Sequence, residues 1–200
     1  MSATLVRKPK RLSTSDDVPF RVVLFAMTSR DYENLPETKQ NVQLLDGEVV
    51  MSPRPRYEHQ VFVGRLFGIL DNWVTKHGLG RVVPDVDMEL NPRWTPAPDL
   101  AFLSVEHIDR LRRGRIVGPA DLVVEVISPS TENDDRVTKP AEYAKTGVNW
   151  YWLVDLVRAE LEEYRRVRQR FTERKVFAFE KTFRPKLFPG LGIELSSMVS

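Results

Sequence analysis

A carboxylate stands inside the most apolar stretch of this chain, Leu122-Val123-Val124-Glu125-Val126-Ile127. A run this rich in Val and Leu reads as a central strand buried on both faces. A charge in such a strand must be paired, neutralised or bound to a metal. Pro98-Asp99-Leu100-Ala101-Phe102-Leu103 repeats the pattern, with Asp99 at the head of a second apolar strand, and Lys139 follows Glu125 by fourteen residues. Two such acids and a lysine suit a hard divalent cation, which takes one or two protein carboxylates and fills its other positions with water and substrate phosphate. The competing reading is an ion pair of Glu125 with Lys139 or with an arginine.

Two hundred residues, 42% apolar and 29% charged, suit one globular domain with a single core. Residues 1–19 read as a flexible basic arm and 20–200 as the domain. The arm's Arg7, Lys8, Lys10 and Arg11 precede no apolar stretch, so no secretory signal is expected, and no run is long enough to cross a bilayer. No cysteine is present, which excludes disulfides and thiolate metal sites and fits a cytoplasmic location. The net charge of +2 does not by itself indicate a nucleic-acid partner. Basic clusters at Arg110, Arg112, Arg113 and Arg115, and at Arg165, Arg166, Arg168 and Arg170, could track a phosphate backbone. Taken singly, they read as solvated faces balanced by Glu106, Asp109, Glu162 and Glu163.

Thr28 or Ser29 is expected to cap a short helix that ends before Pro36. Asp46-Gly47 between Val42–Leu45 and Val49–Met51 signals a hairpin. From Arg56 to Lys76, Phe62, Leu66, Ile69, Leu70 and Trp73 recur at helical spacing, and glycine closes the segment at Gly78. Strands are expected at Val82–Val83, Val86–Leu90, Leu100–Leu103, Leu122–Ile127, Trp150–Val154, Leu161–Val167 and Phe171–Phe179. The segment from Glu106 to Arg115 reads as part helix, part loop. A helix ends at Lys145, with Pro140 inside it or in its first turn. The order predicts an α/β or mixed α+β domain with a central mixed sheet flanked by helices and hairpins at both ends.

Lys139 and Tyr143, four residues apart, share a helix face that could look back at the strand ends. His59 opens the long helix and suits positioning better than proton abstraction. Asp85 and Asp87 offer a rival Pro-Asp pair, but alternate with Val86 and Met88 and should be solvated. Gly-rich phosphate loops and a nucleophile elbow are missing, and three histidines without cysteine disfavour zinc.

Leu44-Leu45-Asp46-Gly47-Glu48-Val49-Val50-Met51-Ser52-Pro53, His59, Pro98-Asp99-Leu100-Ala101-Phe102, Asp121 to Ser130, Lys139, Tyr143 to Val148 and Trp150 to Asp155 form an ordered series over residues 28–195. The series resembles the putative restriction endonuclease family of the PD-(D/E)XK nuclease superfamily. The resemblance implies a restriction-endonuclease-like fold, with Asp99 and Glu125 as metal-binding acids and the Val126 carbonyl as a further ligand. It implies Mg²⁺ as cofactor, with Mn²⁺ able to substitute. The superfamily lysine normally lies two residues after the second acid, where this chain has Ile127, and Lys139 matches the helix-borne lysine of the family. Gln43 stands where relatives carry an acid, and supports the site together with His59 and Tyr143. The implied substrate is nucleic acid, DNA above all, held by arginines such as Arg56, Arg112 and Arg113, with a homodimer as a means of cutting both strands. A nucleic-acid-binding protein that no longer cuts is the alternative reading.

Overall fold

The computed structural model describes residues 27–36, 41–128 and 131–199, so the expected basic arm, and the turn expected at Ser128-Pro129-Ser130-Thr131 in its two central residues, lie outside the described residues. Thr28 caps helix α1 (Ser29–Glu33) with a reciprocal capping box to Asp31. Strands β1 (Asn41–Leu45) and β2 (Glu48–Ser52) pair through Asp46 and Gly47, both at positive φ as a tight hairpin turn requires. Helix α2 (Tyr57–Lys76) ends where Gly78 turns left-handed at φ +60°.

β3 (Gly80–Pro84) follows, then the two-residue β4 (Met88–Glu89) and β5 (Leu100–Ser104). The expected strand Val86–Leu90 is shorter than the alternation suggests, only Met88–Glu89 being strand, and Asp85 at φ +43° turns the chain between β3 and β4. Asp85 is exposed, as expected, whereas Asp87 is half-buried, with the Tyr32 hydroxyl 3.2 Å from its carboxylate. The Arg-rich segment contains a small hairpin, β6 (Leu111–Arg112) and β7 (Arg115–Val117), turned by Arg113 and Gly114 at positive φ. After β8 (Leu122–Val126) come α3 (Lys139–Thr146), β9 (Trp150–Asp155), β10 (Glu160–Val167), β11 (Arg170–Ala178), β12 (Thr182–Phe183) and β13 (Ile193–Glu194).

Six strands form the main sheet in the order β11-β10-β9-β8-β5-β3. β8 lies near its centre, parallel to β9 and antiparallel to β5. A parallel pair needs a crossover, and the segment containing α3 supplies it. Alternation along β8 sends Leu122, Val124 and Val126 into one core and Val123 into the other. On the first face α2 packs through Phe62, Leu66, Leu70 and Val74, together with the C-terminal Phe183, Phe188 and Ile193. On the second, Tyr143 and Val148 of the crossover meet Ala101, Leu103, Tyr151 and Leu153. The sheet is therefore covered on both sides.

Two places test the backbone. At Gly80, φ is +141° and an added Cβ would fall 2.0 Å from the Leu103 carbonyl oxygen of the neighbouring strand. Gly80→Ala should cost about 2–3 kcal/mol in urea unfolding, from overpacking and backbone strain together. The second is Pro140. A proline inside an α-helix clashes with the carbonyl four residues earlier. Here a π-helical turn, Asp134–Thr138, precedes α3, and the Lys139 N–H reaches back to the Asp134 carbonyl. The matching partner for the Asp135 carbonyl would be the N–H that Pro140 lacks. The buried Tyr151 hydroxyl donates to that carbonyl instead, at 2.7 Å.

Candidate active site

The end of the sheet where β5 begins and β8 ends opens into a pocket shared by the β1–β2 hairpin, the start of α2 and the π-helical turn. Gln43, Arg56, His59, Asp99, Glu125, Val126 and Lys139 all line it, although they span almost a hundred residues of sequence. Arg54 also lines it, near Arg56. Arg112 and Arg113 do not; they flank the turn of the β6–β7 hairpin and are exposed.

Asp99 sits where the chain enters β5. Its Oδ2 accepts the Val126 N–H at 2.7 Å, tying the head of β5 to the end of β8. His59 Nε2 lies 3.3 Å from the same oxygen and 3.0 Å from the Val126 carbonyl oxygen. One imidazole nitrogen thus bridges a carboxylate and a backbone carbonyl. Burial disfavours the charged ring, but Asp99, the Val126 carbonyl and Glu125 outweigh it and hold the His59 pKa above the ordinary value. Both contacts are made by the same ring nitrogen.

Glu125 Oε1 accepts from Lys139 Nζ at 3.0 Å and from the Tyr143 hydroxyl at 2.7 Å. Lys139 Nζ also lies 2.8 Å from Asp135 Oδ1, one helical turn earlier. Glu125, Lys139 and Asp135 are each at most 3% exposed. The ion pair of Glu125 with Lys139 offered by the sequence is therefore present, with Asp135 as a second partner of the ammonium. Asp135 went unforeseen, yet 135, 139 and 143 follow a four-residue spacing that a helix spanning all three would have disclosed. Gln43 is buried, and its Oε1 accepts the Ala97 N–H at 3.2 Å.

The charges do not balance. Asp99, Glu125 and Asp135 face one ammonium, and among the described residues lining the pocket His59 is the only other buried group that can carry positive charge. Burial, reinforced by Asp135 and Asp99 and opposed by Lys139, pushes Glu125 up to about 8. Burial raises Asp135 as well. Asp99, Glu125 and the Val126 carbonyl all line this pocket and are hard oxygen donors, the kind a Mg²⁺-like cation takes together with water and phosphate oxygens. No group of three His, Cys, Asp or Glu side chains among the described residues forms a closed cage. An open site needs none.

In metal-free protein this surplus makes stability depend on pH. The folded value of Glu125 lies above its unfolded value of 4.5. Below pH 4.5 both states are protonated and nothing is lost. From 4.5 to about 8 the unfolded chain gives up the proton first, so folding weakens by up to about 1.4 kcal/mol per pH unit. Denaturant unfolding in chelator should show a loss of a few kcal/mol between pH 5 and 8, largely restored by Mg²⁺ at pH 8. A flat profile in chelator would contradict the charge surplus.

A family model described as "Uma2: Putative restriction endonuclease" matches residues 29–196. The chain belongs to this family. Comparison with curated proteins returns no match. Among solved structures, "a putative nuclease belonging to DUF820" from Anabaena variabilis ATCC 29413 is similar at a TM-score of 0.74 and 19% identity, covering 87% of this chain and 99% of that one. The two share the fold. No helix among the described residues is long and apolar enough to cross a membrane.

Proposed function

We propose that this family member is a metal-dependent endonuclease that hydrolyses phosphodiester bonds of DNA, with Mg²⁺ as the cation and Mn²⁺ as a substitute. The supporting observation is the surplus of buried carboxylate in a pocket that Arg54 and Arg56 also line. A divalent ion would be held by Asp99, Glu125 and the Val126 carbonyl, and would supply Lewis acidity toward phosphate and a more acidic attacking water.

The chain's own groups do the rest. The pKa of Lys139 is held above its ordinary value because the attraction of Asp135 and Glu125 overcomes burial, so it presents a fixed positive charge to the phosphate. Asp135 and Glu125 clamp the ammonium from two sides, and Tyr143 fixes the Glu125 carboxylate. His59 holds Asp99 and the Val126 carbonyl in register. Arg54 and Arg56 would meet backbone phosphates, a contribution insensitive to sequence and weakened by salt. Two copies related by a two-fold axis would bring one site to each strand of a duplex.

The test is cleavage of supercoiled plasmid and of single-stranded DNA by purified protein, with Mg²⁺, Mn²⁺ or chelator. Metal-dependent nicking and linearisation are expected. Cleavage that persists in chelator would sink the mechanism. Salt-sensitive binding without cleavage would establish the second reading, a DNA-binding protein that no longer cuts. Gln43 favours that reading, because a neutral amide already bonded to Ala97 adds no charge to the cation site.

A further inference from the structure

The helical stretch that lines the pocket on one side lines a second groove on the other. Asp135 and Lys139 face the candidate site, whereas their neighbours Arg136 and Pro140 belong to a groove completed by the β10–β11 hairpin. Tyr151 is fully buried there, with ring centres 5.7 Å from Phe171 and 6.0 Å from Tyr164. Phe171 and Tyr164 are half-buried. Pro140 and Ala144 supply the helix side of the groove.

The charge lining this groove has one sign. Arg136, Lys145 and Arg170 line it, and no carboxylate does. Arg136 is already spent, with its guanidinium held by Glu132, Asp155 and Glu162. Lys145 reaches Glu142 at 3.3 Å but is 67% exposed. Arg170 makes no ion pair among the described residues, and Gln169 beside it presents an amide at the hairpin tip. Aromatic rings, an uncommitted cation and an amide fit a flat heteroaromatic group that carries a phosphate. A base within a duplex is stacked and cannot enter such a groove, whereas an unpaired base can.

We infer that this groove receives the base of an unpaired nucleotide, stacked against Phe171 and Tyr164, with its phosphate on Arg170. The inference rests on the endonuclease reading and deepens it. It names the substrate as single-stranded DNA, or DNA with an unpaired nucleotide close to the cut. A helix is roughly 10–12 Å across, the length of about three stacked nucleotides at about 3.4 Å each. One strand could therefore occupy the groove and the candidate site together.

The probe is a single-stranded oligonucleotide carrying 2-aminopurine, compared with the same sequence as a duplex, in Ca²⁺ to limit turnover. Wild-type protein should quench the single strand and bind it at least about tenfold more tightly than the duplex. Arg170→Glu, at an exposed position, and Phe171→Ala should each lower that affinity by about tenfold. Cleavage of a single-stranded oligonucleotide at limiting concentration should fall by about the same factor in Arg170→Glu. Absent quenching, or full affinity in Arg170→Glu, would overturn the inference and leave the apolar floor to a protein partner. Quenching without cleavage would remove the endonuclease reading and keep the nucleotide groove. Cleavage without quenching would do the reverse.

Discussion

Asp99→Asn is expected to lower metal-dependent plasmid cleavage by at least about 10²–10³-fold while shifting stability by no more than about 1 kcal/mol. The two numbers separate because the side chain has two jobs. Its Oδ2 accepts the Val126 N–H, and an asparagine oxygen can do the same. Only the charge is lost, and with it one of two carboxylates proposed to hold the cation. Removing that charge also relieves Glu125, which Asp99 helps to push up. The metal-free variant should therefore keep more of its stability at pH 8 than wild type does. Asp99→Ala is the poorer probe, since it strands a buried N–H at a cost of about 1–3 kcal/mol. Cleavage by Asp99→Asn at the wild-type rate would remove Asp99 from the mechanism.

Lys139→Met should produce the opposite pattern, a large loss of stability along with loss of cleavage. Methionine keeps the length of the side chain and discards the ammonium, leaving Glu125 and Asp135 buried without a counter-charge. Breaking a buried pair by removing one partner costs about 3–5 kcal/mol. The loss should be steepest at pH 8 and smaller at pH 5, where the orphaned carboxylates can take up protons. Urea unfolding at the two pH values reads this directly. Adding Glu125→Gln to Lys139→Met should return part of the stability at pH 8, because it removes one orphaned charge, but none of the activity. A Lys139→Met protein as stable as wild type at pH 8 would mean that the two acids are not ionised together.

Asp99 and Glu125 were legible because a charge in a Val/Leu strand has few explanations. Two-residue alternation on β8 was sound, as Val123 and Val124 enter opposite cores. The fold class followed from the interleaving of the helical stripe on α2 with short apolar strands. Asp135 was hidden by Pro140, which argues for a helix starting later than the π-helical turn allows. What rescues that turn is the Tyr151 hydroxyl, a long-range contact to which no local rule gives access. The β6–β7 hairpin was obscured because arginine is an unusual residue to hold positive φ, here 54° at Arg113. The acids named as neighbours of the Arg165–Arg170 cluster are engaged elsewhere. Glu162 serves Arg136 and Arg174, while Glu163 accepts the Lys186 N–H.

Asp99 and Glu125 belong to the sheet and the ammonium to a helix laid across it, so the site is only as durable as the seam between them. That seam is Tyr143 and Val148 against Ala101, Leu103, Tyr151 and Leu153, beside a turn in which Pro140 has removed one backbone hydrogen bond and the Tyr151 hydroxyl stands in for it. Segments of this kind open at lower free energy than the strands beneath them. Gentle warming would thus disarm the protein before it melts, and cooling would re-arm it without refolding.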